Sequence, residues 1–162
     1  MIAAVKDLPP LMRPMSQEDV PYIAELEQAA YEFPWSAGIF RDCLLAGYMA
    51  VALERDKEVV GYAVMSVAAG EAHLLNICLA PPLRGCGMGR RLLEHMLETA
   101  RDAGAECVYL EVRPSNRQAL RLYHAAGFDV IGVRQGYYRA HGANEDAVVL
   151  MLKFASKDKA DG

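Results

Sequence analysis

The sequence has no excess of positive charge. Lys and Arg number 17 against 21 Asp and Glu, a net charge of −4 at pH 7. Binding to nucleic acid is driven largely by basic side chains on phosphates, so no direct nucleic-acid partner is expected. A mildly acidic surface suits a basic protein instead. Long hydrophobic runs are also missing. The longest uncharged stretches, Val59–Gly70 and Ala72–Leu83, hold about a dozen residues each, and a spanning helix needs about 20. Ile2–Val5 is too short for the apolar region of a signal peptide, and Lys6-Asp7 closes it. No membrane association is expected. Cysteine is sparse, at 43, 78, 86 and 107, with no C-x-x-C pair. Without an export signal, that pattern favours reduced thiols and a cytoplasmic location. The histidines at 73, 95, 124 and 141 lack H-E-x-x-H or similar spacing, so no metal site is expected.

What is present is an ordinary globular mixture. Hydrophobic residues make up 53% and charged residues 23% of 162 positions, enough apolar material for a packed core in one domain. That domain is expected over residues 10–154, with residues 1–9 and 155–162 as loose tails.

The pattern along the chain predicts a mixed sheet flanked by helices. Ser16-Gln17-Glu18-Asp19 opens a helix with Ile23, Leu26, Ala29 and Ala30 as its apolar stripe. Phe33-Pro34-Trp35-Ser36 breaks it, and Ser36 can cap a second helix. Tyr48–Glu54 and Glu58–Ala68 read as a hairpin around the polar turn Arg55-Asp56-Lys57, and His73–Leu79 as a third, nearly continuous apolar strand. A helix over Arg90–Ala103 stops at Gly104, and a strand follows over Cys107–Val112. Asn116 is placed to cap a helix over Gln118–Ala126, with strands Phe128–Val133 and Ala147–Phe154 at the end. The order β-α-α-β-β-β-α-β-α-β-β is neither a purely parallel doubly wound sheet nor a barrel.

Between the strand ending at Leu79 and the helix from Arg90 lies Pro81-Pro82-Leu83-Arg84-Gly85-Cys86-Gly87-Met88-Gly89. Glycines there allow successive backbone N–H groups to converge on an anion, at a helix end that carries partial positive charge. Arg84, Arg90 and Arg91 add formal charge. A flexible connection is the plainer alternative. A dinucleotide fingerprint is excluded, because Arg90 stands where G-x-G-x-x-G requires its third glycine, and no P-loop run exists.

The run Arg84-x-x-Gly87-x-Gly89 after a buried strand resembles the signature of the GCN5-related N-acetyltransferases (GNAT). Leu110-Glu111-Val112-Arg113, and Asn116 followed by Leu122-Tyr123-x-x-x-Gly127-Phe128, extend the likeness in the right order. Phe33-Pro34-Trp35-Ser36, Leu75-Asn76-Ile77 and Gly136-Tyr137-Tyr138 narrow it to the bacterial ribosomal-protein alanine N-acetyltransferases (RimI type). Ala80, where an acid is common, and Gly85-Cys86, where basic or polar residues are common, depart from the family.

The resemblance implies one mixed α/β sheet of six to seven strands, splayed between the fourth and fifth and flanked by about four helices. It implies acetyl-CoA as cosubstrate and no metal. The acceptor would be the N-terminal amine of a protein, in particular an alanine-first, basic ribosomal protein of the small subunit. A transferase of the same fold acting on lysine or a small amine, or a non-catalytic CoA-binding module, are the alternatives.

Residue by residue, Glu111 is the base candidate; the plainer readings are a surface position or an ion pair with Arg113. Tyr123 is the acid candidate for the departing thiolate, and otherwise a core tyrosine. The resemblance assigns the loop Arg84, Gly85, Cys86, Gly87, Met88, Gly89 and Arg90 to the pyrophosphate. It assigns the backbone of Ile77, Cys78 and Leu79, and the side chain of Asn116, to the pantetheine arm. Trp35, Tyr137 and Tyr138 either pack at the edge of the core or form a wall for the acceptor peptide. Cys86, between Arg84 and Arg90, is either an inert small residue that replaces a common basic one or a thiol that the loop favours as thiolate, and on the second reading it alkylates fastest of the four cysteines.

Overall fold

A computed structural model of the chain describes residues 9–142 and 144–155. Apart from Pro9 and Ala155, the expected tails lie outside the described residues. Among the described residues, seven strands and four α-helices follow one another as β1 (Leu11–Pro14), α1 (Val20–Ala30), α2 (Ala37–Leu45), β2 (Met49–Arg55), β3 (Glu58–Ala68), β4 (Glu71–Leu79), α3 (Met88–Asp102), β5 (Cys107–Val112), α4 (Arg117–Ala125), β6 (Asp129–Tyr138) and β7 (Glu145–Lys153). The sheet order is β1-β2-β3-β4-β5-β7-β6. This is the expected mixed architecture.

The chain divides into two compact units, residues 9–65 with 76–93, and residues 66–75 with 94–155. In the first unit, β1, β2 and β3 pair antiparallel. Asp56 and Lys57, at φ 54° and 64°, make the tight turn of the β2–β3 hairpin. Left-handed geometry at both central residues matches the right-handed twist of the strands. Ser16 and Asp19 form a capping box ahead of α1, the Ser16 N–H donating to Asp19 Oδ2 at 2.8 Å. Arg13 grips the same carboxylate with two bonds of 2.8 Å, which holds Asp19 below the usual carboxylate range. Val20, Ile23, Phe40, Leu53, Tyr62 and Met65 are almost completely buried here.

In the second unit β5 pairs antiparallel with β7 along its whole length, Cys107↔Lys153 to Val112↔Val148. Its parallel pairing with β4 covers only Glu71↔Cys107, Ala72↔Val108 and His73↔Tyr109. The fourth and fifth strands therefore part after three residues, which is the expected splay. Val108, Leu110 and Val112 are buried, whereas Cys107, Tyr109 and Glu111 alternate with them on a half-covered face. Strand β5 is thus not buried on both faces. Strand β6 runs five residues beyond the expected Val133. Pairing to β7 carries the strand on, with an irregularity between Arg134 and Tyr138 and Gly136 at φ 61°.

Candidate active site

The second unit gathers a cluster of polar and aromatic side chains around Glu111. The side chain of Glu111 is only 8% exposed, a costly place for a carboxylate without partners. Its Oε2 lies 2.5 Å from His73 Nε2, and its Oε1 accepts from Arg134 at 3.1 Å. Arg113, the partner considered from sequence, instead reaches Glu145 at 3.2 Å and the Arg139 carbonyl at 2.9 Å. The ion pair Glu111–Arg113 is therefore replaced by His73 and Arg134. Arg113 stands just past the end of β5 and turns to Glu145 at the start of β7, while strand pairing brings His73 and Arg134 to Glu111.

Tyr137 and Tyr138 meet edge to face at 4.9 Å. The Arg134 guanidinium sits 5.0 Å from the Tyr137 ring, and that of Arg113 sits 4.5 Å from the Tyr138 ring. Burial, with Tyr137 and Glu111 nearby, pushes the Tyr138 phenol well above its ordinary value. Tyr137 is half open to solvent, at 47%. These are rigid aromatic surfaces with hydroxyl ends, suited to a peptide backbone.

Tyr123 lies on α4 and is buried, edge-on to Phe128 at 5.7 Å. Burial pushes its phenol well up, so at neutral pH it keeps its proton and can donate a hydrogen bond. Asn116 caps α4, its Oδ1 accepting from Ala119 N–H at 3.2 Å. The cap engages the side-chain oxygen of Asn116 rather than its NH₂ group.

The first unit holds the glycine loop. Gly85 and Gly87 have φ of 77° and 86°, and a Cβ on either would meet nothing within 4 Å. Met88 is buried at the first position of α3, and Gly89 and Arg90 fall in its first turn, so the helix begins two residues before the expected Arg90. Cys86 is exposed and its Sγ–H donates to the Leu83 carbonyl at 2.8 Å; Cys43 and Cys78 are buried and Cys107 is partly covered.

Strand β4 ends beside this loop with two carbonyls already engaged. The Tyr31 hydroxyl donates to Ile77 O at 3.1 Å, and Arg84 Nε donates to Leu79 O at 3.0 Å. A carbonyl has two lone pairs, so each can accept a second donor. Arg84 is thus tied to the strand end as well as standing in the loop. Behind the strand, Glu27 is only 2% exposed and accepts from Asn76 Nδ2 and the Tyr62 hydroxyl. Burial raises its carboxyl pKa. Trp35 packs on Phe40 at 5.3 Å, half-buried ahead of α2.

Sequence reading missed His73, Arg134, Tyr31 and the Glu27–Tyr62–Asn76 cluster as site residues. Asn76 stood within a recognised run but had no role. None of these positions has a local spacing that points to its partner.

Residues 17–128 match the Acetyltransferase (GNAT) family. The chain belongs to this family. The [ribosomal protein bS18]-alanine N-acetyltransferase of Salmonella typhimurium is 35% identical over 138 residues, 85% of this chain and 93% of that protein. Its counterpart from Haemophilus influenzae is 34% identical over 133 residues, 82% of this chain and 90% of that one. The crystal structure of the ribosomal-protein-S18-alanine N-acetyltransferase from Escherichia coli superposes with a TM-score of 0.84 at 31% identity, over 92% of this chain and 97% of that one. The expected GNAT fold and the narrower likeness to ribosomal-protein alanine N-acetyltransferases are both borne out. Among the described residues no group of side chains could hold a metal ion, and no helix is long and apolar enough to cross a membrane.

Proposed function

We propose that this GNAT enzyme transfers acetyl from acetyl-CoA directly to the α-amine of an alanine-first ribosomal protein of the small subunit. The observation that carries the reading is the buried Glu111 carboxylate, beside Tyr137 and Tyr138, in a chain 35% identical to a bS18-alanine N-acetyltransferase. The net charge of −4 suits a basic acceptor, and the reaction belongs in the cytoplasm, where such proteins are made.

In this reading the amine nitrogen attacks the thioester carbonyl; the C–N bond forms and the C–S bond breaks. The amine's proton passes to Glu111, directly or through water, and the leaving thiolate is met by the Tyr123 hydroxyl. An α-amine has a pKa of about 7.7–8.0, so it needs only modest help to lose its proton at neutral pH. The glycine loop offers its N–H groups and arginines to the pyrophosphate. Ile77, Cys78 and Leu79 offer strand backbone to the pantetheine amides, with the Asn116 amide in support. Trp35, Tyr137 and Tyr138 would wall the acceptor peptide.

Tyr123→Phe keeps the ring against Phe128 and removes the donor. Turnover is expected to fall about 10–100-fold with the melting temperature unchanged, checked by thioester-cleavage kinetics. Turnover within twofold of the parent, with chemistry rate-limiting, would remove the acid role.

The experiment on the function itself is mass spectrometry of peptides incubated with the purified chain and acetyl-CoA. The peptides differ only in their first residue and include internal lysines. Acetylation at the α-amine of alanine-first ribosomal peptides is expected. Modification confined to lysines or to small amines would overturn the reading.

A further inference from the structure

Arg134 is one of two groups that hold the Glu111 carboxylate. His73, at the last paired position of β4 and β5, places Nε2 2.5 Å from Glu111 Oε2. Its ring stacks on Tyr109 at 4.3 Å and 21°, which fixes the plane of the imidazole. Its side chain is 20% exposed, so protons can reach it from water.

We infer that His73 is a positioning residue for the base: it holds Glu111 by one oxygen, so that the carboxylate meets the amine in one orientation. The inference rests on the acetyltransferase reading above. With a single proton, on Nε2, the imidazole donates to Oε2 and orients the carboxylate without adding charge. Tyr109, on which the ring stacks, and Arg134, on the other oxygen of Glu111, stay in place in the comparison that follows.

The test uses two variants. His73→Gln keeps an N–H donor for Oε2; His73→Ala removes the donor. At pH 8.5, His73→Ala is expected to lower kcat about 10–100-fold with acetyl-CoA affinity within about twofold, and His73→Gln to retain kcat within about threefold. His73→Ala within twofold of wild type, or His73→Gln as slow as His73→Ala, would overturn the inference. Imidazole ¹⁵N NMR needs no substrate and separates this from failure of the functional reading. Glu111→Gln should shift the His73 ring signals while leaving those of His95 and His124 in place. Unmoved His73 signals would overturn the pairing, whatever the acceptor proves to be.

Discussion

Glu111→Gln is expected to lower kcat by about 10²–10⁴ while acetyl-CoA affinity stays within about twofold. The substitution is nearly isosteric. Its amide oxygen can still accept from Arg134 and its NH₂ can face His73, so the buried position keeps hydrogen-bonded partners. What disappears is an atom able to take the proton that leaves the amine. The loss should shrink at high pH. Above about pH 8.5 most of an α-amine, with its pKa of about 7.7–8.0, is already neutral. Raising the pH from 7 to 9 should therefore recover about tenfold of the lost rate. Pre-steady-state acetyl transfer to an alanine-first peptide measures this directly. A chemical step unchanged at pH 7 in the folded variant would take the base role away from Glu111.

Gly87→Asp is expected to weaken acetyl-CoA binding at least about 100-fold, or about 2.7 kcal/mol. Two effects need separating. The backbone at Gly87 has φ 86°, where an L-residue is strained, although the space for a side chain is open. Asp and Asn tolerate left-handed geometry better than other L-residues, and about equally. Gly87→Asn therefore carries the conformational cost without the charge, and is expected to weaken binding only several-fold. The difference between the two is the cost of a carboxylate where the loop's N–H groups and arginines await phosphates. Calorimetry with CoA and acetyl-CoA, beside thermal melting of each variant, gives the comparison. Equal affinities for the Asp and Asn variants would mean that no phosphate sits in this loop.

Much of this protein could be read without coordinates, and for identifiable reasons. Strands β3 and β5 announce themselves because apolar runs bounded by turns are local patterns. Gly104 and Gly127, at φ 90° and 103°, end helices because only glycine enters that conformation freely. The glycine loop, Glu111, Tyr123 and Asn116 lie in short runs whose spacing is itself the signal. Local chemistry also suffices for Asn116 as a cap and for the Ser16–Asp19 box, since both partners lie within three residues.

Tertiary structure decided which groups face each other across large separations in sequence. Glu111 meets His73 from 38 residues before it and Arg134 from 23 residues after it, while Arg113, two residues away, turns to Glu145. Strand register alone sets such meetings: His73 reaches β5 because β4 pairs there for three residues before the two strands part. The buried Glu27, held by Tyr62 and Asn76 from 35 and 49 residues away, has the same origin. On a helix face a lone glutamate reads as solvated; only packing removes its water and supplies partners in exchange. The sequence by itself determined the fold, the family and the residue types available for acetyl transfer, because those depend on periodicity and short spacing. The surroundings of the base, from its bonded oxygens to the histidine beside it, were decided by pairing between distant strands, which no local pattern encodes.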